Sequence, residues 1–243
     1  RRCIVLDISE ERAWFLDQFD AAADTKYQAG QQMVMKTALH LYGVRVPDLR
    51  RLSSEWQRVH KGISRDDLLA MVEALWVGES YEERSMAIEL LGRNKRIISD
   101  LTWDHFDRWR HLVDNWGLDD GLATSIFGPW VAADLPGRLS YLPALVGDPV
   151  VWSRRLGLVA TVPLNRSAST AQPDLTFMLI DRLKAERHLM ITKAVSWALR
   201  TLIKLYPDRV AAYLDDNQDV LPSHAVREVR NKLETGLKSG KTP

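Results

Sequence analysis

Apolar residues recur with helical period along almost the whole chain and almost nowhere alternate as a half-buried strand would. Leu68, Leu69, Val72, Leu75 and Trp76 follow i, i+1, i+4, i+7, i+8, and Met86, Ala87, Leu90 and Leu91 repeat that stripe. Each stripe must be buried against a neighbouring helix, which confines the chain to all-α architectures. The helix entrances are written locally: Ser80-Tyr-Glu-Glu83 fits a capping box, and Ser64 followed by Asp66 and Asp67 places a cap and two acids at a start. Pro47, Gly78, Pro136, Gly147-Asp-Pro149, Pro207 and Pro222 fall between the stripes and punctuate them.

Helices are predicted over 9–23, 27–42, 48–60, 65–77, 81–93, 100–115, 118–132, 137–146, 149–162, 174–187, 190–206, 208–216 and 223–237. Their rhythm, about 35 to 45 residues per helical pair, is that of HEAT-type repeats, although no strict sequence repeat is present. The expected fold is an all-α, HEAT-like helical-repeat superhelix (an α-solenoid). Its 243 residues would form one domain of about six helical pairs, with a concave face able to track an extended polymer. The longest polar link, Asn165 to Pro173, either joins repeats or touches a ligand.

A hydrophobic content of 46% is enough for a full core. The single cysteine, Cys3, excludes an internal disulfide, and no Cys/His cluster has zinc-site spacing, so neither a metal nor a redox cofactor is expected. The opening Arg-Arg-Cys-Ile-Val-Leu-Asp is too short for a signal peptide's apolar region, and no stretch reaches eighteen apolar residues. The expectation is a cytoplasmic protein without a membrane partner. Its net charge of +1 conceals a segregation of signs. From Arg154 to Arg209 ten Lys/Arg face four Asp/Glu, whereas residues 1–153 hold 18 basic and 23 acidic side chains. A basic stripe on a mildly acidic protein suits a polyanion, and a solvated helical face would look the same.

Two segments set an indole one helical turn from a charge. Trp116 and Asp120 are four residues apart, and Trp197 has Lys193 at i−4 and Arg200 at i+3. One aromatic face beside an anion and another beside cations would suit a cationic ring attached to a phosphate backbone. Bland alternatives stand for each residue: the indoles fill core, Asp119-Asp120-Gly121 caps a helix, and Arg154, Arg155 and Arg200 are surface charges. Trp14, Trp56, Trp76, Trp103, Trp109, Trp130 and Trp152 sit among apolar neighbours and are assigned to the core.

The run from Leu112-Val-Asp-Asn-Trp116 through Asp120 to Phe127-Gly128 resembles the AlkD-type family of DNA alkylation-repair glycosylases. So do Val151-Trp-Ser-Arg-Arg155 and Ile191-Thr-Lys-Ala-Val-Ser-Trp197-Ala-Leu-Arg200, in the same order and at similar spacing. Met35-Lys36, Gly43-Val44, Val46-Pro47-Asp-Leu-Arg-Arg51, Glu82-Glu83-Arg84 and Tyr206-Pro207-Asp208 extend the similarity over about residues 27 to 235. The resemblance implies excision of N3- or N7-alkylated purines, small or bulky, from duplex DNA in base excision repair. It implies that the duplex is held in a concave cleft without the base being enclosed, and the protein is expected to act as a monomer. Asp120 matches the catalytic aspartate of the family, Trp116 and Trp197 its lesion-site tryptophans, and Arg155 and Arg200 arginines near the DNA backbone. Arg154 joins them, and Lys193 is added from helical spacing alone. Val34 stands where the family often has a tyrosine, and Pro163 where it has a lysine. These departures favour the alternative of a non-catalytic binder of damaged or branched DNA. A protein–protein scaffold is the third reading.

Overall fold

The computed structural model describes residues 6–240, and Cys3 lies outside them. Among the described residues all regular structure is helical, with one isolated parallel bridge between His40 and Ser80. None of the described helices is long and apolar enough to cross a membrane. The chain forms two compact units that divide after Ile126.

Unit 1 holds α1 (Ile8–Ala21), α2 (Thr25–Met35), α3 (Val46–Val59), α4 (Arg65–Trp76), α5 (Tyr81–Gly92), α6 (Lys95–Ser99), α7 (Trp103–Arg110) and α8 (Trp116–Leu122). The caps legible in the sequence are present. Ser64 Oγ accepts from the Asp67 amide at 3.0 Å, and Ser80 and Glu83 form the reciprocal capping box at the start of α5. Apolar stripes of α4 and α5 supply the buried centre, Leu68, Val72, Leu75, Met86, Leu90 and Leu91 among them. Each such side chain contributes about 1.5–3 kcal/mol on burial. Trp56, Trp76 and Trp109 are buried with their indole N–H groups satisfied. They donate to Glu11 Oε2 (2.6 Å), the Trp109 carbonyl (3.2 Å) and Glu73 Oε2 (3.2 Å), which removes the penalty of a stranded donor.

The helix expected over 27–42 is shorter than its sequence pattern. It stops at Met35, Lys36 adopts the left-handed conformation at φ 52°, and 37–45 is non-helical. Two distant carboxylates capture the backbone N–H groups that a longer helix would have used. Asp114 accepts from the Thr37 hydroxyl (2.7 Å) and the Ala38 amide (2.9 Å). Glu82, fully buried, accepts from the amides of Tyr42 (3.1 Å), Gly43 (2.9 Å) and Val44 (3.2 Å). Gly43 is required there, since its φ is +80° and a Cβ would lie 2.5 Å from the Asp24 carbonyl oxygen.

Unit 2 holds α9 (Gly128–Ala133), α10 (Leu135–Arg138), α11 (Tyr141–Val146), α12 (Val151–Val159), α13 (Thr161–Leu164), α14 (Pro173–Leu183), α15 (Leu189–Leu202), α16 (Pro207–Asn217) and α17 (Ser223–Thr235). Helix α12 lies against α11 and α15, and α15 also packs on α17. The α11–α12 approach is close enough that a Cβ on Gly157 would sit 2.8 Å from Leu145 Cβ. The polar link after Leu164 is tied down by fully buried Asn165. Its amide donates to Thr176 Oγ1 and accepts from the Gln172 amide, both at 2.8 Å. The tryptophan assignments need one correction: Trp130 is buried, but Trp14, Trp103 and Trp152 are only half-buried. Trp103 and Trp152 stand in the first turns of α7 and α12, where a helical stripe has not yet reached the core.

Candidate active site

Helix α8 begins at Trp116 because Asn115, fully buried, caps it, its Oδ1 accepting from the Leu118 amide at 3.0 Å. Asn115 Nδ2 in turn donates to Asp114 Oδ1 at 2.8 Å, which ties the helix entrance to the 37–38 segment. The competing reading of Asp120 as an N-cap is therefore corrected: Asp120 lies inside α8, one turn past the cap residue's neighbour Trp116. Asp119 is buried, whereas Trp116 and Asp120 are only partly covered, as their i, i+4 spacing demands.

Glycines flank the carboxylate on the helix, and both meet neighbouring side chains. A Cβ on Gly117 would fall 2.8 Å from the Tyr81 hydroxyl and 3.1 Å from Met35 Cε, and one on Gly121 would fall 3.1 Å from Ile88 Cδ1. Their bareness lets α5 approach the stretch that carries Asp120. Burial raises the Tyr81 phenol above its ordinary value, and the charge of Asp120 adds to the effect. Tyr81 thus remains a protonated phenol near the Asp120 carboxylate. Beyond Leu122 the chain passes into a π-helical turn, Ala123–Phe127, and Thr124 Oγ1 donates to the Asp120 carbonyl at 2.7 Å. Such turns insert one residue per turn and are common at functional sites. The Trp116 indole is held by donation from Nε1 to the Val34 carbonyl at 3.4 Å.

In unit 2, α15 buries Ile191, Ala194, Val195, Ala198, Leu199 and Leu202. Lys193, Trp197 and Arg200 lie on the stripe left uncovered, with Lys193 exposed and the other two half-buried. These three sequence-predicted residues therefore share one face. Arg200 Nε donates to Ser196 Oγ at 3.2 Å and lies 3.7 Å from Glu228 Oε2, while the Ser196 hydroxyl donates to the same carboxylate at 2.5 Å. Burial lowers the Arg200 pKa and Glu228 opposes that shift. Arg155, on α12, is 4% exposed and donates through Nη1 to the Met190 carbonyl in the first turn of α15. Arg154 is engaged elsewhere, with two bonds to Glu186 (2.7 and 3.1 Å) and two to the carbonyls of Asp148 and Pro149. Four of its five N–H donors are thereby used within the unit.

Sequence reasoning missed Tyr81, the two flanking glycines and the π-helical turn. Only the Gly-x-x-x-Gly spacing around Asp120 hinted at a close helix contact.

Partly covered indoles thus stand beside a carboxylate on α8 and beside two cations on α15. Residues 15–233 match the family model described as DNA alkylation repair enzyme, and the chain belongs to that family. Its fold is similar to a structure described as a predicted DNA alkylation repair enzyme from Enterococcus faecalis, at a TM-score of 0.71 and 23% identity, covering 88% of this chain and 97% of that one. It is also similar to AlkD2 from Streptococcus mutans, at a TM-score of 0.51 and 18% identity, covering 79% and 89% of the two chains. No curated protein matches the chain significantly.

Proposed function

We propose that this protein is a monomeric DNA glycosylase that removes N3- or N7-alkylated purines from duplex DNA. The observation that carries this reading is the placement of Asp120, partly exposed inside α8 between two bare glycines and one turn from an anchored indole.

Alkylation at N3 or N7 makes the purine cationic, so the base is already a good leaving group and needs no metal or redox group to depart. As the glycosidic bond stretches, positive charge moves to the sugar. A fixed carboxylate near C1′ stabilises that charge as it develops and orients the attacking water. Asp120 takes this role, and Trp116 and Trp197 offer their faces to the cationic base or sugar for about 0.5–2 kcal/mol each. Lys193 and Arg200, beside Trp197 on the open stripe of α15, bind phosphate oxygens and set the register. Arg155, which donates to the Met190 carbonyl in the first turn of α15, is assigned by this reading to the same stretch of DNA backbone. Arg154, largely consumed by Glu186 and two carbonyls, contributes least.

A duplex with a single N7-methylguanine should acquire an abasic site, read as strand scission after mild alkali above the enzyme-free level. Its binding should weaken steeply with salt, because phosphate neutralisation releases counterions. Val34, 61% exposed where a tyrosine is common in the family, favours the second reading, a non-catalytic binder of damaged or branched DNA. Salt-dependent binding without scission would establish that alternative. For Trp197→Ala, excision should fall about 2- to 30-fold, the range set by one indole–cation contact, with a smaller loss of affinity for undamaged duplex. Equal losses would reduce Trp197 to a packing residue.

A further inference from the structure

Helix α2 and Trp116 line an open groove of about 450 Å³ in unit 1, within the range of sites that take small molecules. Tyr27, Gln31, Val34, Arg45 and Trp116 line it, with Lys26 beside them. Three glutamines of α2 are close in sequence and differ in use. Gln28 donates to the Leu41 carbonyl and Gln32 to the Thr37 carbonyl. Gln31 is 7% exposed, and its Oε1 has no hydrogen-bond partner. A buried amide oxygen left unmatched is a cost that the fold does not recover internally. The terminal torsion of Gln31 is broad and roughly two-fold, so the amide can turn either edge to the groove.

Gly30 supplies a second, independent observation. It sits inside α2, where glycine weakens a helix relative to alanine. Its φ is not positive, and an added Cβ would meet nothing within 4 Å. Neither a turn nor a tight contact requires glycine there. Gly30 is exposed and lines the groove next to Gln31, and its missing side chain leaves that entrance open.

The geometry points to a binding site for an adenine nucleotide unit, with Gln31 reading the base. A glutamine amide pairs in two places with an edge that offers an amino donor beside a ring-nitrogen acceptor, as adenine does at N6 and N7. Tyr27 and Trp116 provide aromatic surface for a flat ring, and the Trp116 indole N–H is directed at the Val34 carbonyl, 3.4 Å away. Arg45 lies over the Tyr27 ring at 4.9 Å and is paired at 2.8 Å with Asp24, so Lys26 brings the net positive charge for the phosphate and Arg45 adds donors. The ligand is either a free nucleotide or an unpaired adenine of a DNA strand. The site shares Trp116 with the glycosylase reading but does not depend on excision, because occupancy is measurable without alkylated DNA.

Saturation-transfer NMR and calorimetry of the full chain with dAMP test this. dAMP should bind saturably, and at least about tenfold more tightly than its N6,N6-dimethyl or 7-deaza analogues, each of which removes one of the two contacts to Gln31. Gln31→Leu and Gly30→Leu should each weaken dAMP at least about tenfold. Leucine is a better helix former than glycine, so an unchanged or raised melting temperature of Gly30→Leu separates groove filling from misfolding. Asp120→Asn should bind dAMP as the parent does. Tighter binding of a duplex with a bulged adenine than of one with a bulged thymine assigns the site to DNA, and dAMP binding without that preference assigns it to a free nucleotide. Failure of dAMP to bind, or equal binding by Gly30→Leu or by the dimethyl analogue, overturns the proposal. Either result leaves the excision assay to judge the glycosylase reading separately.

Discussion

Asp120→Asn is expected to slow excision of an alkylated purine by about a thousandfold, the upper range seen when a preorganised electrostatic group is removed from a transition state. Asparagine keeps the size and shape of the side chain and removes its charge. Three features that build α8 do not use that charge: the cap is Asn115, the close contacts to α5 pass through Gly117 and Gly121, and Thr124 bonds to the Asp120 backbone carbonyl. The variant should therefore melt near the parent and bind undamaged duplex with similar affinity. Single-turnover release of free base, measured with enzyme in excess, isolates the chemical step. A rate within about threefold of the parent would remove Asp120 from the chemistry, since a change of that size corresponds to well under 1 kcal/mol of the barrier.

The second large effect concerns stability. Glu82→Ala should destabilise the protein by about 3 kcal/mol or more, because it leaves the buried amides of Gly43 and Val44 and the part-buried amide of Tyr42 facing a vacated space. Denaturant unfolding checks this, and a loss below about 1 kcal/mol would mean that the 37–45 segment holds its path by other means. The sign of the accompanying pH effect follows from burial. Desolvation pushes the Glu82 carboxyl above the ordinary carboxylate range, outweighing the amides that donate to it. The native state thus binds this proton more tightly than the unfolded chain does. Stability contributed at this position is fully present below the unfolded pKa and diminishes as pH rises through the native one. The advantage of the parent over Glu82→Gln should shrink in that same direction.

Glu82 also marks where sequence reasoning ran out. Ser64, Ser80 and Glu83 were legible as caps because cap and helix lie within four residues of each other. The end of α2 was not, since Lys36 to Arg45 is shaped by carboxylates some 40 and 77 residues away. Helices expected over 118–132 and 149–162 share a continuous apolar pattern, yet the first is broken by the π-helical turn and the second divides into α12 and α13. Apolar periodicity registers which face is buried and is nearly blind to one inserted residue.

The same division holds for the candidate site. Lys193, Trp197 and Arg200 could be placed on one face of α15 because their spacing is helical and the intervening residues are apolar. Whether Asp120 capped a helix or stood inside one turned on Asn115, whose capping bond the sequence did not reveal. The commitment of Arg154 to Glu186, 32 residues on, was equally invisible. Gln31 and Gly30 carried no motif at all, since a groove is made by what surrounds it.

The most direct measurement is mass-spectrometric identification of the bases that the wild-type protein frees from duplex DNA treated with small and with bulky alkylating agents. Free N3- or N7-alkylpurine, accumulating above the spontaneous rate and absent with Asp120→Asn, is the expected result. DNA bound with normal salt dependence but no alkylpurine of any size released would contradict it.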